Sequence, residues 1–138
     1  MFHKDWHFDI SLKISGRKDA DYWLATAINS SEKMKKLEIT HCSQISDVCF
    51  ETIAEMYADS LEHLNLECTP IATNYAASQI TRLKNLKHLN IFNCRKFESG
   101  DLISLAYNCE QLETLNIEEV YLFCHIHVIN LKYIFKKI

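Results

Sequence analysis

His63 and His88 are the residues of this chain best suited, by type and spacing, to do chemistry. They occupy the same place in two recurring stretches, Leu61-Glu-His-Leu64-Asn-Leu66 and Leu86-Lys-His-Leu89-Asn-Ile91. On neighbouring strands both imidazoles would face one side, with Glu67 close by. Imidazole and carboxylate suit zinc or nickel. Two or three ligands on an open surface lack the closed shell of a structural site, so no metal is expected there. The cysteines raise the same question. Cys42, Cys68 and Cys94 stand 26 residues apart each time. Zinc would call for close pairs such as C-x-x-C, and the sequence has none. Three cysteines at one repeat position just after strands read instead as small apolar side chains stacked in a core. Cys49, Cys109 and Cys124 fall outside that column. Reduced cysteines point to the cytosol or nucleus.

Catalytic motifs are missing from the sequence. There is no G-x-S-x-G, no H-E-x-x-H, no Gly-rich phosphate loop and no pair of carboxylates set for acid–base work. The two glycines, Gly16 and Gly100, are too few to cradle a nucleotide. An enzyme is therefore not expected, and neither is a cofactor. The net charge is −3 over 138 residues, and no basic stripe appears, so nucleic acid is not an expected partner. Lys33, Lys35 and Lys36 read as a solvated turn rather than a phosphate site. No run of 18 apolar residues occurs, so no membrane span is expected. The start Met-Phe-His-Lys-Asp-Trp-His has neither an apolar signal region nor the Arg-rich, acid-poor character of a transit peptide.

The elements that must position these side chains follow from the repeat. Copies begin at Met34, Leu61, Leu86 and Leu112, so the period runs 27, 25 and 26 residues. A fixed period in this range means stacked supersecondary units. Within each copy, apolar residues alternate with polar ones: Leu37 and Ile39, Leu64 and Leu66, Leu89 and Ile91, Leu115 and Ile117. That is the period of a short half-buried strand. Fourteen residues after each strand comes another apolar residue, in turn Ile53, Ile80, Leu105 and Leu131. The intervening segments have helical spacing. Carried backward, the same ruler puts Leu12 and Ile14 on a strand and Ile28 on a helix that also bears Tyr22 and Trp23. The expected fold class is α/β: a single domain of repeats near 9–33, 34–60, 61–85, 86–111 and 112–131. Successive strands pair in parallel on a concave face, with helices on the convex face. Residues 1–8 form a cap built on Phe2, Trp6 and Phe8, and residues 120–138 an atypical tail.

The strand motif L-x-x-L-x-L/I, followed by Cys42, Cys68 and Cys94 and by Ile45-Ser46-Asp47, resembles the cysteine-containing leucine-rich repeat. The junction Ala106-Tyr-Asn-Cys109-Glu-Gln-Leu112-Glu-Thr-Leu115 resembles that of F-box leucine-rich-repeat proteins. The resemblance covers residues 34–118 best. It departs at Thr69-Pro70, which replaces the usual polar turn, and at Val120, where Cys is expected. An F-box would need several dozen residues ahead of the repeats, so this sequence is expected to hold the repeats alone. The resemblance implies a protein-interaction module that recognises substrates for a cullin-type ubiquitin ligase. A stand-alone adaptor or regulator is the main alternative. A mitochondrial coupling-factor-B-like protein is another, disfavoured by the lack of a transit peptide.

If Leu and Ile of each strand point inward, their neighbours form three outward columns. These are Ser11, Lys36, His63, His88 and Thr114; Lys13, Glu38, Asn65, Asn90 and Asn116; and Ser15, Thr40, Glu67, Phe92 and Glu118. The expected protein-binding set within them is Lys36, Glu38, His63, Asn65, Glu67, His88, Asn90, Phe92, Asn116 and Glu118. Phe92 is the expected aromatic anchor. Asn90 and Phe92 both point outward, so replacing both by Ala is expected to leave folding intact and weaken partner capture; the plainer alternative is an asparagine ladder that hydrogen-bonds only to itself.

Overall fold

The computed structural model describes residues 11–30, 33–70, 73–95 and 97–118, with the backbone alone at 29 and 30. The expected cap at 1–8 and tail at 120–138 lie outside these residues, as does the Leu131 position.

Alternating apolar residues make five strands: β1 (Ser11–Ser15), β2 (Lys36–Thr40), β3 (His63–Asn65), β4 (His88–Asn90) and β5 (Thr114–Asn116). Four helices lie between them: α1 (Ala20–Ser30), α2 (Asp47–Tyr57), α3 (Asn74–Ile80) and α4 (Ser99–Asn108). The strands form one sheet in chain order, and every pairing is parallel. The protein is therefore α/β with a five-stranded, all-parallel sheet.

One face of this sheet meets the helices. Leu37, Ile39, Leu64 and Leu89 come from the strands, and Leu66 and Ile91 directly follow β3 and β4. Leu24, Ile28, Phe50, Ile53, Ile80, Leu102 and Leu105 come from the helices, and all belong to one buried cluster. The fourteen-residue ruler lands on buried residues at Ile28, Ile53, Ile80 and Leu105. Each helix packs on the next in sequence. No unit covers its own apolar strand face completely, so burial of the neighbours supplies most of the stabilisation, at roughly 25 cal/mol per Å² of apolar surface.

Helix starts are also shared between neighbours. Ser46 precedes α2 and makes no side-chain cap of its own. Its backbone N–H instead donates to the carboxylate of Asp21 on α1, at 3.0 and 3.2 Å. At α3, the Thr73 hydroxyl accepts from the backbone N–H of Ala76 and donates to Asp47 on α2 at 2.6 Å. At α4, Glu98 and Asp101 form a reciprocal capping box.

Every strand from β1 to β4 leads into a left-handed residue: Gly16 at φ 65°, His41 at 56°, Cys68 at 54° and Asn93 at 56°. Their N–H groups continue the ladder. Gly16 donates to Thr40 O at 2.9 Å, His41 to Glu67 O at 3.0 Å, Cys68 to Phe92 O at 2.9 Å and Asn93 to Glu118 O at 3.1 Å. The left-handed turn ends each strand and directs the chain toward the next helix.

The equal spacing of the cysteines misassigns the second of them. Cys42 and Cys94 are buried, but Cys68 is half-exposed at the left-handed turn. Thr69, fully buried, takes the core position instead. The Thr69 hydroxyl donates to Ile39 O at 2.7 Å. The Cys94 thiol makes the equivalent contact to Leu66 O at 3.1 Å, and Cys42 one to Ile14 O at 3.8 Å. The core column is thus Cys42, Thr69, Cys94, not Cys42, Cys68, Cys94. The turn is the same length in each repeat: the left-handed residue stands two after Ile39, Leu66 and Ile91 and the core residue three after, so Cys68 falls on the turn and Thr69 in the core.

Candidate functional site

The sheet face away from the helices carries the polar columns. The register aligns Ser11, Lys36, His63, His88 and Thr114 in one row. Lys13, Glu38, Asn65, Asn90 and Asn116 form a second row. A third follows the ladder through Thr40, Glu67, Phe92 and Glu118. Thr40 is covered within this row: it is buried, and its hydroxyl donates to Ser15 Oγ of the neighbouring strand at 3.0 Å.

A shallow hollow of about 360 Å³ lies over the first two rows. Lys36, Glu38, His63, Asn65, His88, Asn90, Thr114 and Asn116 line it, with the strand leucines at its floor. Seven of the ten expected partner-binding residues therefore converge on one hollow. Glu67, Phe92 and Glu118 stand beyond it, past the strand ends. Phe92 is half-buried rather than fully presented.

At one edge of the hollow a single carboxylate meets two ammonium groups. Glu38 pairs with Lys36 at 3.0 Å and Lys13 at 3.6 Å. The hydrogen bond from Lys36 is the main cause that holds the Glu38 carboxyl below its usual range. The His63 and His88 rings stack at the middle, centroids 4.2 Å apart and planes 25° from parallel. Burial lowers the His63 pKa first, and the neighbouring His88 and Lys36 lower it further. His63 is thereby favoured as a neutral imidazole. His88 Nδ1 lies 2.7 Å from the Thr114 hydroxyl.

The asparagines do not pair with one another. Each accepts a hydrogen bond at Oδ1 from the backbone N–H two residues on. These run from Glu67 to Asn65 at 3.0 Å, from Phe92 to Asn90 at 3.0 Å and from Glu118 to Asn116 at 3.1 Å. They satisfy main-chain donors where the ladder loosens, so the sheet is stiffened by them. Replacing Asn90 by Ala would therefore remove the side-chain acceptor of the Phe92 N–H.

The expected grouping of His63, His88 and Glu67 does not form a metal-ligand set. Glu67 instead accepts from Asn90 Nδ2 at 3.3 Å and lies toward the strand ends. Among the described residues, one trio of potential ligands does converge: His41, Glu67 and Cys68, whose donor atoms all lie within 4.8 Å of one another. From the sequence, His41 has no expected role and Cys68 is expected in the core. The signal that corrects it is the repeat period itself. Steps of 27 and then 25 residues carry position 42 to 69 and 69 to 94. Cys68 is thereby left beside His41 rather than beneath it.

The other thiols are poor candidates for chemistry. All five cysteines among the described residues are free. Burial pushes Cys94 up to about 12 and Cys109 up to about 11. Burial, then a hydrogen bond to Asp21, pushes Cys49 up to about 12. Such thiols remain protonated and inert at neutral pH. Among the described residues, no helix is long and apolar enough to cross a membrane.

Compared with models of known protein families and with curated proteins, the chain matches none of them.

Proposed function

We propose that this chain is a non-enzymatic protein-binding module, a leucine-rich-repeat solenoid that grips its partner on the exposed face of the sheet. The observation that carries this reading is the hollow over β2 to β5, where aligned polar rows surround a stacked histidine pair. Such a face is suited to recognition because its side chains stand on paired strands. Little conformational freedom is lost when a partner settles on it. Asn65 and Asn116 use Oδ1 internally and keep Nδ2 for an incoming acceptor. Asn90 is already shared with Glu67, which fixes its orientation. The stacked imidazoles offer a flat, partly apolar surface at the centre, the position at which interface energy concentrates.

The resemblance to F-box leucine-rich-repeat proteins supports a further reading, in which the partner is a substrate delivered to a cullin-type ubiquitin ligase. Residues that carry this resemblance serve the repeat: Ile45 is buried, and Ser46 precedes α2.

Site-specific photocrosslinking in cells tests both parts. A crosslinking side chain at His63 or Asn116 reports on the sheet face. One at Val48 or Met56, exposed on α2, reports on the helix side. One recurring adduct from the sheet-face positions alone is the expected result. Adducts from the helix side alone would sink the reading. If the captured protein accumulates when the proteasome is inhibited, the ligase reading is supported. If its level is unchanged, the module is a free-standing adaptor.

A further inference from the structure

We propose that His41, Glu67 and Cys68 form a binding site for a thiophilic divalent cation of the zinc class. The three residues come from two successive turns, joined by the His41 N–H to Glu67 O bond at 3.0 Å. Their ligand atoms lie within 4.8 Å of one another. A tetrahedral ion with Zn–N, Zn–O and Zn–S lengths of about 2.0–2.3 Å needs ligand separations of about 3.3–3.8 Å. His41 is exposed and Glu67 and Cys68 are half-exposed, which leaves the side chains room to rotate toward an ion.

The donor set selects the ion. One thiolate, one imidazole and one carboxylate exclude calcium and magnesium, which take oxygen alone. They match zinc and its neighbours in the first transition row. Three protein ligands leave a fourth position for water or for a partner's side chain.

Supporting contacts already hold two of the ligands. Asn93 Nδ2 points at Cys68 Sγ from 3.7 Å. Asn90 Nδ2 donates to Glu67 Oε2 at 3.3 Å. These are the outer contacts that orient ligands in metal sites. The backbone contributes as well. His41 and Cys68 both adopt left-handed φ, at 56° and 54°. The equivalent turn after β1 uses Gly16, at φ 65°. A cysteine is a poor choice for that conformation, where Gly or Asn is favoured. The turn nevertheless carries a thiol out of the core and next to an imidazole. On binding, the Cys68 S–H bond breaks, the proton passes to solvent and the sulfur pair goes to the metal.

The full chain, purified with reductant and stripped of metal, is titrated with Co²⁺ and then Zn²⁺. The expected result is one equivalent bound, with a sulfur-to-cobalt charge-transfer band that Zn²⁺ displaces. Cys68→Gly and His41→Asn each suit a left-handed turn, so both variants should fold. Each should weaken the affinity by more than about 100-fold, beyond the 10–100-fold typical of an outer contact. Asn93→Gly should weaken it by about 10-fold. His63→Ala with His88→Ala should leave it unchanged. The absence of a thiolate band, or a band that survives Cys68→Gly, overturns the proposal. The second outcome would assign the band to a different thiol. Unfolding of Cys68→Gly would overturn it too, because the residue would then belong to the core.

Discussion

Thr69→Val tests the assignment of Thr69 to the core column. The substitution keeps the shape and removes one hydroxyl. That hydroxyl donates to Ile39 O at 2.7 Å and accepts from the Cys42 N–H at 3.3 Å. Thr69 is fully buried, so water cannot replace either bond. One buried acceptor and one buried donor lose a partner, at about 1–3 kcal/mol each. The more favourable burial of a methyl group offsets part of this. A net loss of about 2–4 kcal/mol is expected. Thr69→Cys keeps a weak donor of the kind that Cys42 and Cys94 use, so its cost should stay below about 1 kcal/mol. Urea unfolding of the full chain gives both values, provided the m-value is unchanged. If the cysteines kept their even spacing in the core, Thr69 would be a turn residue. Thr69→Val would then fall within about 0.5 kcal/mol of wild type. That result, together with destabilisation by Cys68→Gly, would refute the argument.

Three other outcomes follow from the same geometry. Asp21→Ala removes the carboxylate that caps α2 from the neighbouring helix, and should cost about 1–2 kcal/mol in urea unfolding although Asp21 is only half-buried. Leu89→Ala opens a cavity under a central strand and should cost about 2–5 kcal/mol; Leu115→Ala, on partly exposed β5, should cost less in the same assay. His63 has a lowered pKa in the folded state, so the unfolded chain takes up its proton first as pH falls. Stability should therefore decline as pH drops below the ordinary histidine value of about 6.5 and level off below the folded pKa. His63→Gln should flatten that decline, and unfolding midpoints at stepped pH will read it; an unchanged slope would exclude His63 as its source.

Much of the fold was legible in the residues. Period-two alternation at Leu37 and Ile39, or Leu89 and Ile91, identifies strands because one sheet face is dry and the other wet. The fourteen-residue step to Ile53, Ile80 and Leu105 identifies the helical layer because those side chains must meet the strands. The outward rows were legible for the same reason, and the register places His63 opposite His88 and Asn65 opposite Asn90. Phe92 was harder: past the end of β4, alternation no longer says how far a side chain is covered.

By itself, the sequence determined the repeat, its strand and helix positions and the composition of the exposed face. These depend on local periodicity and on which side chains avoid water. Tertiary structure alone decided which side chains meet across neighbouring turns. His41, Glu67 and Cys68 converge from two successive turns. Asparagine carbonyls turn to backbone N–H groups rather than to each other, and Asp21 caps a helix that is not its own. Each of these outcomes is a competition among donors, acceptors and space from different repeats. Such a competition is settled only when the repeats are stacked.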